Sequence, residues 1–264
     1  MTGPARKPDW VIARERARRD AARATLWLFG LHAVEAALRN PARDKVRLVV
    51  TRNAADRLGD AVAAGGLEPE IADPRKFPAP LDPGSVHQGA ALEVRALDWG
   101  PLAEVATREG GPVVCLDRVS DPQNVGAILR SAEVFGARAV IAPARHAAPE
   151  TGALAKAASG ALERQPYLRI TNLSRALGEL GEMGFVRLGL DGGAEGTVAD
   201  AVAAAGGRPV ALVMGAEGPG LREGTRAACD ALVRIDAAGG FGSLNVSNAA
   251  AVALYAATAA ITGR

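Results

Sequence analysis

Cysteine, histidine, lysine and aromatic residues are all scarce in this sequence, and each scarcity removes a class of chemistry. The 2 cysteines are Cys115, inside the apolar run PVVCLDRV, and Cys229, near the end of an expected helix. They provide neither a disulfide framework nor a CxxC metal knuckle, and both are expected to be reduced and buried. The 3 histidines, His32, His87 and His146, stand singly, so no zinc-ligand spacing exists and no metal is expected. No apolar run is long enough to cross a bilayer, and MTGPARKPDW carries charge where a secretory signal needs an apolar core. The expectation is a cytoplasmic protein with no membrane partner. Gly-Lys-Ser/Thr is absent throughout, which removes a Walker loop and with it the usual cradle for a nucleoside triphosphate.

What remains is a chain suited to one large or two modest domains, whose 48% hydrophobic content is ample for a sizeable core. The net charge of +2 advertises no global affinity for nucleic acid. Its distribution says more: Arg6, Lys7, Arg14, Arg16, Arg18, Arg19 and Arg23 face only Asp9, Glu15 and Asp20. Residues 1–25 therefore read as a basic arm able to contact phosphates, or as a solvated tail. Only Lys7, Lys45, Lys76 and Lys156 among the 31 basic residues are lysines, a bias that suits planar phosphate contacts and that a GC-rich genome also produces.

After the arm, LWLFGLHAVEAALRN predicts an apolar entry, a turn at Gly30 and an amphipathic helix ending near Asn40-Pro41. VRLVVT and GAALEVRAL read as strands, with AADRLGDAVAAGG as one helix between them, giving a small α/β domain over residues 26–97. Residues 98–111 carry Gly and Pro and read as a linker with room for one short helix. From Pro112 to the end, strands and helices alternate regularly, which calls for a mostly parallel sheet covered on both faces over residues 112–264. Ligands on such sheets bind beyond the C-terminal strand ends.

Three of those strand ends carry loops that turn geometry alone does not explain. SDPQNVGAILRSA follows VVCLDRV, GAEGPGL follows PVALVM, and AAGGFGSLNVS follows ALVRI. In the first, Asn124 stands at or just before a helix start, where its amide could cap the helix and still bond a ligand, and Arg130 lies about one and a half turns further on. In the second, Gly215, Gly218 and Gly220 allow positive φ or close backbone approach, and Glu217 is oddly placed unless it accepts local hydrogen bonds. The G-x-x-G-x-G spacing is not a dinucleotide fingerprint, so a nucleoside lacking a polyphosphate is the better candidate ligand. In the third, SLNVSNAAAVALY puts its polar residues at a helix entrance, where amides lack intrahelical partners, and leaves the rest for packing.

DPQNVGAILRSAEVFG, VMGAEGPGL and SLNVSNAAA, in that order, resemble the three motifs of the SpoU (TrmH-like) family of S-adenosylmethionine-dependent RNA 2′-O-ribose methyltransferases. FGLHAVEAAL and SVHQGAALEV look like the ends of the family's RNA-binding domain, which is similar to the ribosomal L30e fold. The resemblance implies an α/β fold with a deep trefoil knot of the SPOUT type, a small L30e-like domain before it, and a homodimer with active sites near the interface. It implies S-adenosyl-L-methionine as cofactor and RNA as substrate. By position, Arg130 matches the catalytic arginine, with Asn124 in the same motif. Met214, Gly215, Gly218, Ile235 and Leu244 fall at cofactor-contacting positions, and Glu217, Ser243 and Asn245 at positions that shape the pocket or substrate site. Glu163 also resembles a recurrent family glutamate. Asp236 stands where relatives often have proline, GGFG precedes the third motif, and Asn248 replaces a residue usually small and apolar. The domain arrangement most resembles enzymes that methylate a guanosine ribose in the peptidyl-transferase region of large-subunit rRNA, with a tRNA ribose or a catalytically silent assembly factor as alternatives. With 4% aromatics, shape and phosphate contacts are expected to outweigh base stacking in RNA recognition.

Overall fold

The computed structural model describes residues 24–238 and 244–262; most of the basic arm, the GGFG stretch and Ser243 lie outside them. The chain divides into two compact units, one up to Leu97 and one from Asp98.

The first unit is built on β1 (Thr25–Phe29), β2 (Lys45–Val50), β3 (Glu70–Ile71) and β4 (Ala90–Arg95), in the order β1-β4-β2-β3. β4 runs antiparallel to both β1 and β2, and β3 is parallel to β2. Helix α1 (Leu31–Arg39) buries Leu31, Val34, Ala37 and Leu38, the one face that a three-and-four spacing creates. Its first turn is satisfied from a distance: Gln88 Oε1 accepts the Leu31 N–H at 3.1 Å. The single helix expected over AADRLGDAVAAGG is instead two, α2 (Arg52–Leu58) and α3 (Asp60–Gly65). Gly59 separates them with φ 48° and ψ −124°, a conformation outside the helical region that the absent side chain permits.

The second unit is a seven-stranded sheet of β5 (Val113–Asp117), β6 (Ala139–Pro143), β7 (Tyr167–Ile170), β8 (Val186–Leu190), β9 (Gly196–Thr197), β10 (Val210–Gly215) and β11 (Ala231–Arg234). The order is β7-β6-β5-β10-β8-β11-β9 and every pairing is parallel. Parallel neighbours need crossovers, and α5 (Pro122–Val134), α6 (Gly152–Ala158), α7 (Leu173–Glu182), α8 (Val198–Ala204) and α9 (Glu223–Arg226) lie in them, while α10 (Val246–Thr262) follows the last strand. The helix read over GALAKAASGALE stops at Ala158, because Ser159 and Gly160 both take positive φ, and resumes as a 3₁₀ turn over Ala161–Glu163.

Both sheet faces are covered, which is why the strands read as unbroken apolar runs. On β5, Val113 and Cys115 join one core with Ile141, Leu173, Leu177, Phe185 and Val213. Val114 and Leu116, equally buried, alternate to the opposite face. Helix α10 packs against α5, α8 and β10, burying Val246, Ala250, Ala253, Leu254 and Ala257. The stretch 98–111 contains α4 (Leu102–Ala106), whose Leu102, Val105 and Ala106 belong to the first of these cores. Truncating a fully buried side chain such as Leu177 to alanine costs ~2–5 kcal/mol. Among the described residues no helix is long and apolar enough to cross a membrane.

Candidate active site

Beyond the C-terminal ends of β8, β10 and β11 lies a cavity of about 1170 Å³, where an open parallel sheet places its ligands. Met214, Gly215, Gly218, Ile235 and Leu244, singled out above for a cofactor, all line it, as do Glu217 and Asn245. Sequence reasoning did not single out Asp191, Arg226 and Arg234, which line it too. Arg226 pairs with Asp191, and the Gly193 amide donates to the same carboxylate at 2.9 Å. The Gly193 hydrogen bond, followed by the Arg226 guanidinium, holds the Asp191 carboxyl below its ordinary pKa.

The glycines of the loop after β10 have different tasks. A β-carbon on Gly215 would lie 2.4 Å from the Gly220 carbonyl carbon and 2.6 Å from the Leu221 nitrogen, so the loop folds back over it. That closure is a bridge between Ala216 and Gly220, with Gly220 N–H donating to Ala216 O at 2.9 Å. The small size of Gly215 is therefore used by the protein itself. Gly218 meets no neighbour within 4 Å but holds φ 82°, a left-handed backbone that favours glycine.

Three loops meet at one carboxylate oxygen. Glu217 Oε1 accepts from Asn245 Nδ2 at 2.6 Å, from Val246 N at 3.3 Å and from Asn124 Nδ2 at 3.4 Å. Asn245 Nδ2 also donates to Asn124 Oδ1 at 3.0 Å, while Asn245 Oδ1 accepts from Ser247 N at 2.9 Å and from Ser247 Oγ. The odd placement of Glu217 is thus explained by three donors, from α5 and from the entrance of α10, that need an acceptor. Asn124 is not the cap of α5. The helix starts two residues earlier, with Pro122 at its first position, and Asp121 caps it by accepting from Gln123 N at 3.1 Å and Asn124 N at 3.4 Å. Asn124's side chain is thereby released toward Glu217, and among the described residues its second N–H has no acceptor.

Arg130 is exposed on α5 and, among the described residues, has no hydrogen-bond or ion-pair partner. It is not joined to the Asn124–Glu217–Asn245 cluster. Glu163 is buried in the 3₁₀ turn. A further pair stands at the end of β5: Asp117, fully buried, accepts Arg222 Nε at 2.7 Å and Arg222 N at 2.9 Å. The signal for it was a carboxylate closing the otherwise apolar strand VVCLD. Among the described residues no cluster of three or more His, Cys, Asp and Glu could hold a metal ion.

Sequence and fold are both similar to those of known proteins. Residues 111–255 match the SpoU rRNA methylase family, and residues 27–99 match the RNA 2′-O ribose methyltransferase substrate-binding family. The chain is 41% identical over 237 residues to the 23S rRNA (guanosine-2′-O-)-methyltransferase RlmB of Ralstonia nicotianae, covering 87% of this chain and 94% of the relative. It is 37% identical to the protein of the same name from Vibrio cholerae, covering 87% and 95%. The crystal structure of the SpoU methyltransferase AviRb from Streptomyces viridochromogenes superposes with a TM-score of 0.75 at 25% identity, covering 94% of each chain. An S-adenosylmethionine-bound rRNA methyltransferase from Sinorhizobium meliloti shares the fold, with a TM-score of 0.73 at 24% identity over 92% of this chain and 89% of that one. By the match of its C-terminal motifs and by identity along most of its length, the chain belongs to the SpoU rRNA methylase family.

Proposed function

We propose that the protein transfers the methyl group of S-adenosylmethionine to the ribose 2′-oxygen of a guanosine in 23S rRNA. The names of its relatives support the reaction and the substrate. The observation that carries it is the convergence of Asn124 on α5, Glu217 in the glycine loop and Asn245 at the entrance of α10 on one carboxylate oxygen beside the large cavity. The cavity suits the cofactor on its own chemistry. Apolar Met214, Ile235, Leu244 and Val246 offer walls for a flat base, and the glycine loop offers exposed backbone groups for its edge. Bound there, the cofactor supplies a methyl carbon on a positively charged sulfur.

In-line attack by a ribose oxygen makes positioning much of the catalysis. Asn124 has a second N–H free to donate to the ribose, its orientation set by Glu217 and Asn245. Arg130 presents only donors, since a guanidinium has a pKa of about 12.5–13.8 and no acceptor while protonated. It therefore holds the ribose-phosphate and stabilises the developing negative charge rather than removing the proton. The acceptor left for that proton is Glu217 Oε2, which makes no hydrogen bond among the described residues. Ser243 is assigned to the same site by its position in the third motif.

Residues 26–97 act in this reading as the RNA-presenting domain and residues 1–25 as a phosphate-contacting arm. The protein works in the cytoplasm as a homodimer, for which exposed apolar Val134 on α5 and Val252 and Tyr255 on α10 provide a face. The trefoil knot belongs to the same proposal. The test is transfer of labelled methyl from S-adenosylmethionine to rRNA and tRNA from cells lacking ribose methylation, with Arg130→Ala alongside. Label on large-subunit rRNA, lost in the variant, is expected. Label on tRNA alone would replace the substrate, and cofactor binding without transfer would favour an assembly factor.

A further inference from the structure

A second, smaller cavity lies on the other side of the glycine loop, and nothing in the reaction above uses it. Its volume is about 310 Å³, at the lower end of the ~300–1,000 Å³ range of small-ligand clefts. The loop is a shared wall: Leu221 lines the large cavity and the next residue, Arg222, the small one. Arg145, His146 and Arg222 line it and no carboxylate does. Arg222 is held from behind, its Nε on buried Asp117 at 2.7 Å, and among the described residues its two terminal nitrogens have no partner. Arg145 and His146 are exposed without partners among the described residues. The amino end of α7 contributes Leu173 and Ser174, whose amides have no intrahelical acceptor. Ser174 Oγ donates to Gly224 O at 3.0 Å and so ties that helix end to the Arg222 segment. Thr225 lines the same cavity and is 1% exposed; its hydroxyl is itself closed to solvent and, among the described residues, has no hydrogen-bond partner. Buried hydroxyls are seldom left unpaired.

We infer that this pocket binds a backbone phosphate of the RNA substrate beside the target ribose, with Arg222 presenting a forked donor pair, Arg145 supplying charge, His146 offering a ring N–H, and the α7 amides completing the cradle. This rests on the RNA methyltransferase reading. A phosphate seated here fixes the strand on one side of the glycine loop while the cofactor cavity occupies the other. Arg145, His146 and Arg222 are thus positioning residues for the substrate strand.

The test is filter binding of a large-subunit rRNA fragment across a salt series, without cofactor, for the wild type and an Arg145→Ala/His146→Asn double variant. Asparagine is chosen because His146 holds φ 64°, which asparagine tolerates. Loss of one single-strand phosphate contact is expected to lower the slope of log affinity against log salt by about 0.7. The KM for RNA should rise about tenfold, the loss of a charge-assisted hydrogen bond, with kcat within about twofold. An unchanged slope and KM in the double variant overturn the proposal. Binding of inorganic phosphate by the wild type and not the variant, with the RNA slope unchanged, also overturns it in favour of a free anion. Wild-type methyl transfer is measured separately: if it is absent while the slope still falls, the methylation reading fails and the phosphate site stands.

Discussion

Gly215→Ala perturbs one atom and reports on the whole site. The added β-carbon lands 2.4 Å from Gly220 C, 2.6 Å from Leu221 N and 2.7 Å from Gly220 O, all of them backbone. No side chain can swing away, so the segment must retreat by about 1 Å to reach ordinary contact. That segment includes Glu217, whose bond to Asn124 is already 3.4 Å and cannot survive a 1 Å shift. Overpacking of this kind costs ~1–3 kcal/mol of stability. Misplacing the catalytic groups by about 1 Å costs about 10²-fold in turnover. Thermal unfolding, calorimetric titration with S-adenosylmethionine and steady-state methyl transfer together read these effects. The expectation is a folded protein with weakened cofactor binding and turnover down about 10²-fold. Gly218→Ala is the control: its β-carbon meets nothing, so only the left-handed backbone cost of ~1–2 kcal/mol remains. Turnover and cofactor affinity of Gly215→Ala within twofold of wild type would refute the reasoning.

Glu217→Gln keeps an acceptor for the two asparagines but removes the charge and the proton acceptor, so turnover should fall about 10²-fold or more with cofactor affinity nearly intact; wild-type turnover would remove Glu217 from proton transfer. Arg130→Lys keeps the charge and loses the planar fork, and single-turnover rates should fall well below wild type; near wild-type rates would remove any need for the fork. Asp191 has its pKa depressed in the folded state by the Gly193 amide and Arg226, so the stability it contributes is present above the unfolded carboxylate pKa of about 3.9 and lost as pH falls through the lower folded value. Melting temperatures of wild type and Asp191→Asn between pH 7 and 3 should therefore converge only at the acid end, and a constant gap would contradict the linkage. Burial pushes the Cys229 thiol up to about 11 and that of fully buried Cys115 higher still, leaving on the order of one thiolate in a thousand or fewer at pH 8. Alkylation of the native protein should be slow at both, with rapid labelling only after unfolding.

The grouping of the candidate-site residues was legible in the sequence because they are locally conspicuous. Gly215, Gly218 and Glu217 stand together after an apolar strand, and Asn245 precedes a long alanine-rich helix, so each loop announces a task that turns alone do not explain. The parallel sheet was legible from alternation, since strands buried on both faces read as unbroken apolar runs. Less local features were not. Gly59 breaks a helix where a glycine is often tolerated, and nothing in AADRLGDAVAAGG distinguishes the two outcomes. Asn124 could cap the helix or bond a ligand on sequence grounds, because Asp121 and Asn124 are both competent caps; the choice follows from Pro122 occupying the first helical position. Pairs such as Asp117 with Arg222, or Asp191 with Arg226, join residues far apart in the chain and depend on strand order, which periodicity does not specify. The split roles of the three glycines likewise depend on the loop folding back over Gly215.

The most direct test of the central claim is nucleoside analysis of large-subunit rRNA incubated with the protein and S-adenosylmethionine, with Arg130→Ala as the control. The account predicts new 2′-O-methylguanosine at one site, absent with the variant although it still binds the cofactor. Methylation on a base, or 2′-O-methylguanosine formed equally by Arg130→Ala, would contradict it.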